Sequence, residues 1–163
     1  MPKAFLSIGS NINPERHIPA ALLDLRDLFG PLELSSLYES ASVGFDGPIF
    51  HNLVAAFDSD LPAEIIAEHL RAIEERHGRT RESQKFSSRT LDIDLILWGD
   101  AIFTRGRLEI PRPEITRYAF VLEPLAELAP ALQHPEIGKT YQELWSQFDQ
   151  SGSQQRKLGS PKD

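Results

Sequence analysis

Two aspartates, Asp92 and Asp94, have the clearest capacity for chemistry, and both lie in the aliphatic segment LDIDLILW. In an extended strand, residues two positions apart share a face with Cα atoms about 6.5 to 7 Å apart, so both carboxylates can reach shared cations. Mg²⁺ is commonly held by one or two carboxylates together with water and phosphate oxygens. A half-exposed antiparallel strand also shows polar residues to water. The pair alone therefore leaves two alternatives, a metal site and a solvated strand face.

A basic stretch just before this strand favours the metal site. It contains Arg79, Arg81, Lys85 and Arg89 against one acidic residue, Glu82. Arginine presents a planar fork of donors to phosphate oxygens, while a cation held by the carboxylates neutralises the same phosphates. Phosphoryl transfer requires such positioning and charge stabilisation. Taken alone, the stretch would be explained as a solvated charge run. Together, the two features predict a phosphate-transferring site.

Composition limits the classes of protein to which the chain can belong. Its 163 residues are 40% hydrophobic, which predicts one domain with a single core over residues 1–150. The net charge of −7 disfavours binding to nucleic acid or anionic membranes. There is no cysteine, and the five histidines follow no zinc-binding spacing. Without a signal peptide or a long apolar run, a cytoplasmic protein is expected, most simply a monomer. The polar residues 151–163 predict a frayed or disordered tail.

Hydrophobic periodicity divides the first hundred residues into six elements. The stops Gly30-Pro31 and Gly78 end the two predicted helices. The predicted order is strand 4–8, helix 18–29, strand 32–38, strand 50–57, helix 62–77 and strand 91–98. This is the split βαβ pattern of ferredoxin-like α+β domains, a βαββαβ sandwich whose antiparallel sheet carries its helices on one face.

The last of these strands carries the aspartates opposite a core face. Alternation predicts Leu91, Ile93, Leu95 and Leu97 towards the core, and Asp92, Asp94, Ile96 and Trp98 on the other side. The signals after residue 98 predict a small C-terminal extension. It comprises a strand at 108–110, a helical piece after Pro113, and a final helix behind the capping-box spacing of Thr140 and Glu143.

At the level of motifs, RTLDIDLI (89–96) together with IGSN (8–11) resembles the 6-hydroxymethyl-7,8-dihydropterin pyrophosphokinases of folate biosynthesis. The longer motif is the specific one. The likeness also takes in Tyr38, Gly44, residues 50–52, Glu74, Gly78-Arg79, Pro111 and the run AFVLEPLAELAP from 119 to 130. The resemblance implies a ferredoxin-like fold. It also implies transfer of the diphosphate of ATP to the hydroxymethyl group of a reduced pterin, with release of AMP.

The resemblance further implies a role for each matching residue. Asp92 and Asp94 would bind two Mg²⁺ ions and form the catalytic group with Arg79 and Arg89. The implied ATP-binding residues are Arg71, Glu74, Arg81, Lys85, Arg89, Arg107 and Arg112. The implied pterin-binding residues are Gly9, Ser40, Val43, Phe50, Asn52 and Phe120.

The implied pterin site makes chemical sense. Phe50 and Phe120 would enclose the flat ring, and the Asn52 amide would pair with its polar edge. The two phenylalanines could equally be core residues, the commoner fate of that residue type. The loops 40–48 and 79–88 are rich in small or charged residues, so both are predicted to move without ligand and to order over it.

Departures from the family pattern fall in the region expected to contact ATP. Ser87 stands where the family usually has glycine or alanine, and Ser88 stands where proline is common. Phe86 occupies a position that is often tryptophan. Arg112 stands where the family often has histidine, and Tyr118 stands where it often has arginine. Arg117, one position earlier, is a candidate substitute for that arginine. These changes motivate a second hypothesis, a non-catalytic pterin- or nucleotide-binding homologue. An RNA-binding domain is a remote third, because the chain is acidic and lacks an aromatic RNP-type strand.

Overall fold

The computed structural model describes residues 1–41, 48–78, 90–151 and 155–161. These ranges contain eight strands and five helices. In chain order they are β1 (Lys3–Ser10), α1 (Pro14–Phe29), β2 (Glu33–Leu34), β3 (Leu37–Ser40), β4 (Phe50–Asp58), α2 (Ala63–Arg76), β5 (Asp92–Trp98), β6 (Phe103–Arg105), β7 (Leu108–Ile110), α3 (Glu114–Arg117), α4 (Ala119–Leu128), α5 (Tyr141–Gln147) and β8 (Arg156–Gly159).

Local sequence explains where α1 begins and ends and where α5 begins. Pro14 occupies the first turn of α1, and Gly30 ends this helix at φ 85°, where its N–H donates to the Arg26 carbonyl. Thr140 and Glu143 form the predicted capping box at the start of α5. Both predicted long helices and the final helix are therefore confirmed. No helix in the described part of the chain is long and apolar enough to cross a membrane.

A large sheet forms the centre of the molecule, with strand order β5-β1-β4-β3-β8 and β2 also paired to β4. All of its pairings are antiparallel. The strands β6 and β7 form a separate hairpin. The prediction of an α+β protein with an antiparallel sheet is confirmed.

Helices cover both faces of the large sheet. On the first face, α1 and α2 pack against alternate strand residues, namely Ala4, Leu6, Ile8, Leu53, Ala55, Phe57, Ile93 and Leu95. On the second face, α3, α4 and α5 pack over the intervening residues Phe5, Val54, Ala56, Ile96 and Leu97. The prediction of helices on one face therefore holds for α1 and α2 alone, because α3, α4 and α5 cover the other face. The segment after Trp98 is more than a small extension, because it builds a second core.

A bulge in β5 changes the predicted alternation near its end. Leu6 of β1 pairs with Leu95 while Phe5 pairs with Leu97, so Ile96 is the extra residue. As a result Leu97 joins Ile96 in the second-face core, and Trp98 packs against the first-face core. The predicted sides are correct from Leu91 to Ile96 and wrong for Leu97 and Trp98.

Two further predictions need correction. The predicted strand 32–38 is split into β2 and β3, because Ser35 turns its hydroxyl to accept from the Val54 N–H at 2.9 Å. The tail was predicted to be disordered from 151, but Arg156–Gly159 forms β8 against β3. Pairing with an edge strand orders this polar segment, which has little apolar surface of its own.

Candidate active site

A row of residues crosses the second face where four strands lie side by side. Asp92 of β5 pairs with Gly9 of β1, Gly9 pairs with Asn52 of β4, and Asn52 pairs with Tyr38 of β3. Directly opposed residues point to the same side of a sheet. Antiparallel register thus places the Asp92 carboxylate and the Asn52 amide on one surface, with a glycine between them.

Gly9 leaves the space that the Asn52 side chain occupies. A Cβ atom at position 9 would lie 2.8 Å from Asn52 Oδ1, which is shorter than real Cβ contacts, and 3.8 Å from Phe50 Cδ1. The Asn52 Nδ2 donates to Ser40 Oγ at 2.8 Å across the strand pair. Asn52 is 4% exposed, so this hydrogen bond fixes the orientation of a buried amide. Two predicted pterin-binding residues, Gly9 and Ser40, therefore each lie within contact range of a third, Asn52.

The two aspartates lie on the second face, on the side of β5 away from the first-face core. Both are partly exposed, whereas Ile93 between them is 3% exposed within that core. Asp94 pairs with Ser7 of β1, one step along the strand from the Asp92–Gly9 pair. Strand geometry therefore gives the two carboxylates a common orientation towards the surface that carries Asn52.

Glu74, predicted to bind ATP, holds the strand that carries the aspartates. It lies near the end of α2, is 8% exposed, and accepts from the Ile93 N–H at 2.9 Å through Oε2. Among the described strands β5 lies at the edge of the sheet, so the α2 side chain takes the place of a neighbouring strand for this N–H. The hydrogen bond thus fixes the backbone midway between Asp92 and Asp94.

Arg112 brings positive charge to the aspartate pair. Its backbone N–H donates 3.0 Å to the carbonyl of the bulge residue Ile96, two residues beyond Asp94. Its guanidinium forms a close ion pair with Glu114, and Nε donates to the same carboxylate oxygen at 3.0 Å. Burial would lower the pKa of Arg112, but the charge of Asp94, the bond to Glu114 and the charge of Asp92 more than offset it, so this pKa is raised. Arg112 therefore stays a cation whose charge interacts with both aspartates.

An aromatic pair marks the start of α4. The rings of Phe120 and Tyr118 stack with centroids 5.0 Å apart and an interplanar angle of 21°. Both rings are partly buried against the second-face core. The Tyr118 ring thus supports the Phe120 ring. Phe50 points to the same side of β4 as Asn52, because the two residues are two positions apart.

The donor set suits a hard divalent cation that takes its remaining ligands from elsewhere. Asp92 and Asp94 supply carboxylate oxygens, the ligand type that Mg²⁺ prefers. Within the described ranges, no group of three or more His, Cys, Asp or Glu side chains could hold a metal. Two carboxylates fit Mg²⁺ that also binds phosphate oxygens and water, and they fit a tetrahedral zinc site poorly.

Other predicted site residues lie apart or outside the described residues. Arg71 is exposed on α2, and Arg107 is exposed in the β6–β7 turn. Arg105, the last residue of β6 before that turn, binds Glu64 in the first turn of α2 at 2.8 Å, about 15 Å along the helix from Glu74. Val43, Arg79, Arg81, Lys85 and Arg89 fall outside the described residues, as do most of the two loops predicted to be mobile.

Three contacts of the site were missed by sequence reasoning. They are the Arg112–Glu114 pair, the Tyr118–Phe120 stack and the hydrogen bond from Gln155 to the Ala119 carbonyl at 3.0 Å. The spacing of Arg112 and Glu114, two residues apart around Pro113, could have suggested the first. The other two depend on tertiary packing, for which the sequence carries no local signal.

Comparison with known proteins identifies relatives that match most of the chain. The model of the 7,8-dihydro-6-hydroxymethylpterin-pyrophosphokinase (HPPK) family matches residues 5–130. A 2-amino-4-hydroxy-6-hydroxymethyldihydropteridine pyrophosphokinase of Synechocystis sp. is 37% identical over 150 residues, covering 90% of this chain and 76% of the relative. The enzyme of that name from Pseudomonas aeruginosa is 37% identical over 138 residues, covering 82% of this chain and 85% of the relative.

Solved structures support the fold independently. A Plasmodium falciparum HPPK-DHPS structure superposes with a TM-score of 0.70 and 14% sequence identity. The match covers 90% of this chain but only 43% of the Plasmodium chain. At this identity the likeness concerns the fold alone.

Proposed function

The chain belongs to the 7,8-dihydro-6-hydroxymethylpterin-pyrophosphokinase (HPPK) family, and we propose that it transfers the diphosphate of ATP to 6-hydroxymethyl-7,8-dihydropterin. The products would be AMP and the pterin diphosphate, an intermediate of folate biosynthesis. One observation supports this proposal above the others. The row from Asp92 through Gly9 to Asn52 joins a carboxylate pair suited to Mg²⁺ and phosphate with an amide suited to a heterocycle.

The pterin would bind over the β4 end of this row. The Asn52 amide offers a donor and an acceptor to the polar edge of the ring, and its hydrogen bond to Ser40 holds the amide in place. Phe50 and Phe120 would contact the two faces of the ring, since a planar heterocycle packs well on aromatic side chains. Gly9 leaves room for the ligand above the sheet, because the Cβ atom of any larger residue would collide with the Asn52 side chain.

The triphosphate would bind over the β5 end. Asp92 and Asp94 would hold the Mg²⁺, which supplies charge neutralisation for the β- and γ-phosphates. Arg112 is charged and already beside these carboxylates, so its guanidinium can approach the phosphate oxygens with little movement of its backbone. Arg79, Arg81, Lys85 and Arg89 would add positive charge from the preceding basic stretch.

The proposed reaction is a displacement at the β-phosphorus of ATP. The pterin hydroxyl oxygen forms a bond to this phosphorus and its proton is lost to water, while the bond to the oxygen bridging the α- and β-phosphates breaks and AMP leaves with that oxygen. Asn52 and the two phenylalanines would orient the hydroxyl, and Arg112 would stabilise the charge that develops on the phosphates. Positioning and electrostatics would therefore provide most of the catalysis, as is usual for phosphoryl transfer.

A direct assay tests the proposal. The purified chain with ATP, Mg²⁺ and the reduced pterin is expected to form AMP and pterin diphosphate, and omission of Mg²⁺ should stop the reaction. If no AMP forms, the proposed activity is wrong. Calorimetry would then examine the second hypothesis, a non-catalytic homologue, for which tight binding of pterin or ATP without turnover is the expected result.

We also propose a ferredoxin-like arrangement for the first six elements. The order β5-β1-β4-β3, with α1 and α2 together on the first face, supports it. A single domain, a monomeric state and a cytoplasmic location are proposals that rest on the sequence. Size-exclusion chromatography with light scattering tests the monomeric state. A measured mass twice that of one chain would contradict it.

A further inference from the structure

The C-terminal strand β8 lies beyond the family match, which ends at residue 130. It adds to the edge strand β3 through the pairs Tyr38–Lys157 and Glu39–Arg156. Arg156 also forms an ion pair with Glu39 at 2.8 Å, although its side chain is 71% exposed. An exposed ion pair contributes little to stability. The side chains that face α4 are more informative.

Three residues of α4, spaced four positions apart along one side of the helix, are bound from the β8 segment. Gln155 Nε2 donates to the Ala119 carbonyl at 3.0 Å and to Glu123 Oε1 at 2.8 Å. Lys157 Nζ lies 2.9 Å from Glu127 Oε2. Residues four apart lie on one side of a helix, so β8 contacts the length of this side at two separate anchors.

The second anchor belongs to a strong polar cluster. Glu127 also accepts from Ser36 N–H at 2.8 Å, from Ser36 Oγ at 2.6 Å and from the Tyr38 hydroxyl at 3.0 Å. Burial would raise the pKa of Glu127, but the bonds from Ser36, Lys157 and Tyr38 outweigh it and lower this pKa. Without Lys157 the carboxylate would keep its bonds to Ser36 and Tyr38. The end of α4 is therefore held to β3 even if the β8 contact is lost.

The first anchor holds the part of α4 that carries Phe120. The N-cap residue of this helix, Tyr118, makes no side-chain cap hydrogen bond. Gln155 bonds to Ala119, the residue directly before Phe120, and to Glu123 one turn later. It thus fixes the first turn of α4 from outside the helix. Gln155 directly precedes β8, which is paired with β3, and the last residue of β3, Ser40, orients Asn52.

From these contacts we propose that Gln155 is a positioning residue for the pterin site, through which β8 holds Phe120 at a set distance from Asn52. The inference rests on the proposed function, because Phe120 is assigned to the pterin only there. It assigns to the C-terminal strand a role in substrate binding in addition to its role in the sheet. Preorganisation of an aromatic contact lowers the cost of binding a planar ligand.

A comparison of the two anchors separates positioning from simple stabilisation. Gln155→Ala removes the anchor next to Phe120, and Lys157→Ala removes the anchor two turns away. Loss of a neutral hydrogen-bonding group typically costs the equivalent of about a fivefold change in an equilibrium. Gln155→Ala is therefore expected to raise KM for the pterin about fivefold, with KM for ATP unchanged. Lys157→Ala is expected to leave both constants near the wild-type values.

Amide hydrogen exchange provides a readout that does not depend on turnover. Exchange over residues 118–123 should become about fivefold faster in Gln155→Ala and stay unchanged in Lys157→Ala. Gln142→Ala, which removes an exposed amide from α5, is the matched control and should change neither KM nor exchange at α4. Gln155→Asn, whose amide is too short to reach both acceptors, should behave like the alanine variant.

Several results would overturn the proposal. One is equal pterin KM values for Gln155→Ala and wild type, and another is parallel increases in the KM values of pterin and ATP. A larger effect of Lys157→Ala on pterin KM would show that β8 acts through general stability. If the wild type forms no AMP, the proposed function fails. Pterin affinity by calorimetry then decides the positioning role, and equal affinities in Gln155→Ala and wild type reject it.

Discussion

The two faces of the central sheet are built from the same strands and have different tasks. On the first face, alternate residues from Ala4 to Leu95 form a continuous apolar core under α1 and α2. On the second face, an apolar core under α4 and α5 occupies one end of the strands. At the other end, the apolar residues are replaced by Gly9, Asn52, Asp92 and Asp94.

This difference indicates how a small domain can hold a polar site without losing its core. Strand alternation lets neighbouring residues belong to different environments, so Ile93 is buried while Asp92 and Asp94 remain partly exposed. The first face holds a continuous apolar core, and the open end of the second face carries the residues proposed for the chemistry. Substitutions on the two faces should therefore have different effects, one on activity and the other on stability.

The largest effect is expected for the aspartates. Asp92→Asn and Asp94→Asn each remove one charge from the proposed Mg²⁺ ligands, so kcat should fall by about 10²- to 10³-fold or more. Both side chains are partly exposed, so the midpoint of urea denaturation should change little. Steady-state AMP formation and urea unfolding measure the two quantities.

Asp100→Asn provides the matched control for that experiment. Asp100 is exposed in the turn that follows β5, so removal of its charge should leave kcat unchanged. A near-normal kcat for Asp92→Asn or Asp94→Asn would contradict the metal assignment. A comparable decrease for Asp100→Asn would indicate a general effect of charge.

The opposite result is expected on the first face at Phe57. This residue is 2% exposed and stacks on Phe29 with ring centroids 4.3 Å apart. Phe57→Ala should lower the free energy of unfolding by about 3 to 5 kcal/mol, because it leaves a cavity in the core. Phe57 lies five residues from Asn52, about 17 Å along β4, so kcat per folded molecule should be retained.

Urea denaturation with activity measured on the folded fraction checks that expectation. If Phe57→Ala does not fold, Phe57→Leu tests the same contact with a smaller volume change. Loss of kcat in fully folded Phe57→Leu would show that the faces are not separable.

The sequence predicted the parts of this division that depend on short-range pattern. The alternation of LDIDLI places Asp92 and Asp94 opposite Ile93, and the helical periods of α1 and α2 identify what covers the first face. The bulge at Ile96 was not predictable, since it depends on how β5 pairs with β1 and on the bond from Arg112. Likewise Arg156–Gly159 has weak strand character and becomes β8 through contacts with β3 and α4.

Cross-strand register is another property that the sequence does not carry locally. Gly9 and Asn52 lie 43 positions apart, and their contact follows from the pairing of β1 with β4. The family resemblance nevertheless implied that both residues belong to the pterin site. Pattern thus identified the candidate residues, and the structure explains why one of them must be glycine.

An intermediate effect is expected for Gly9→Ala. The new methyl group would lie 2.8 Å from Asn52 Oδ1 and displace an amide that Ser40 now holds. Loss of that orientation should raise KM for the pterin about tenfold while KM for ATP stays constant. Steady-state kinetics with each substrate varied in turn measures both constants.

A double-mutant cycle tests whether the displaced amide is the cause. In an Asn52→Ala background the Oδ1 atom is gone, and the nearest remaining atoms to the added Cβ are at 3.8 Å, an ordinary contact. Gly9→Ala should then have almost no further effect on pterin KM. Additive effects in the double variant would mean that Gly9 acts on the site by another route.

The smallest effect is expected from a polar contact within the helical layer of the first face. His17 of α1 and His77 at the end of α2 approach with Nδ1 atoms 2.7 Å apart. One ring must donate and the other accept, so protonation of both rings breaks the bond. Burial lowers the pKa of His17, and the nearby charges of His77 and Arg16 lower it further, against a small opposing effect of Glu15. Asp24 lies 3.6 Å from His77 Nε2 and 3.7 Å from Arg76.

These charges predict the sign of a pH dependence. Because the folded protein binds the His17 proton more weakly than the unfolded chain, this contribution to stability is present above the ordinary pKa of 6.5 and is lost as pH falls below it. Urea denaturation between pH 8 and about pH 5 should show this decrease for wild type, and a weaker one for His17→Gln. Burial also lowers the pKa of His134, so this residue would account for the decrease in stability that remains in His17→Gln. A pH profile that is unchanged in His17→Gln would mean that the contact between α1 and α2 does not depend on ring protonation, and that the stability of the first face rests on apolar packing alone.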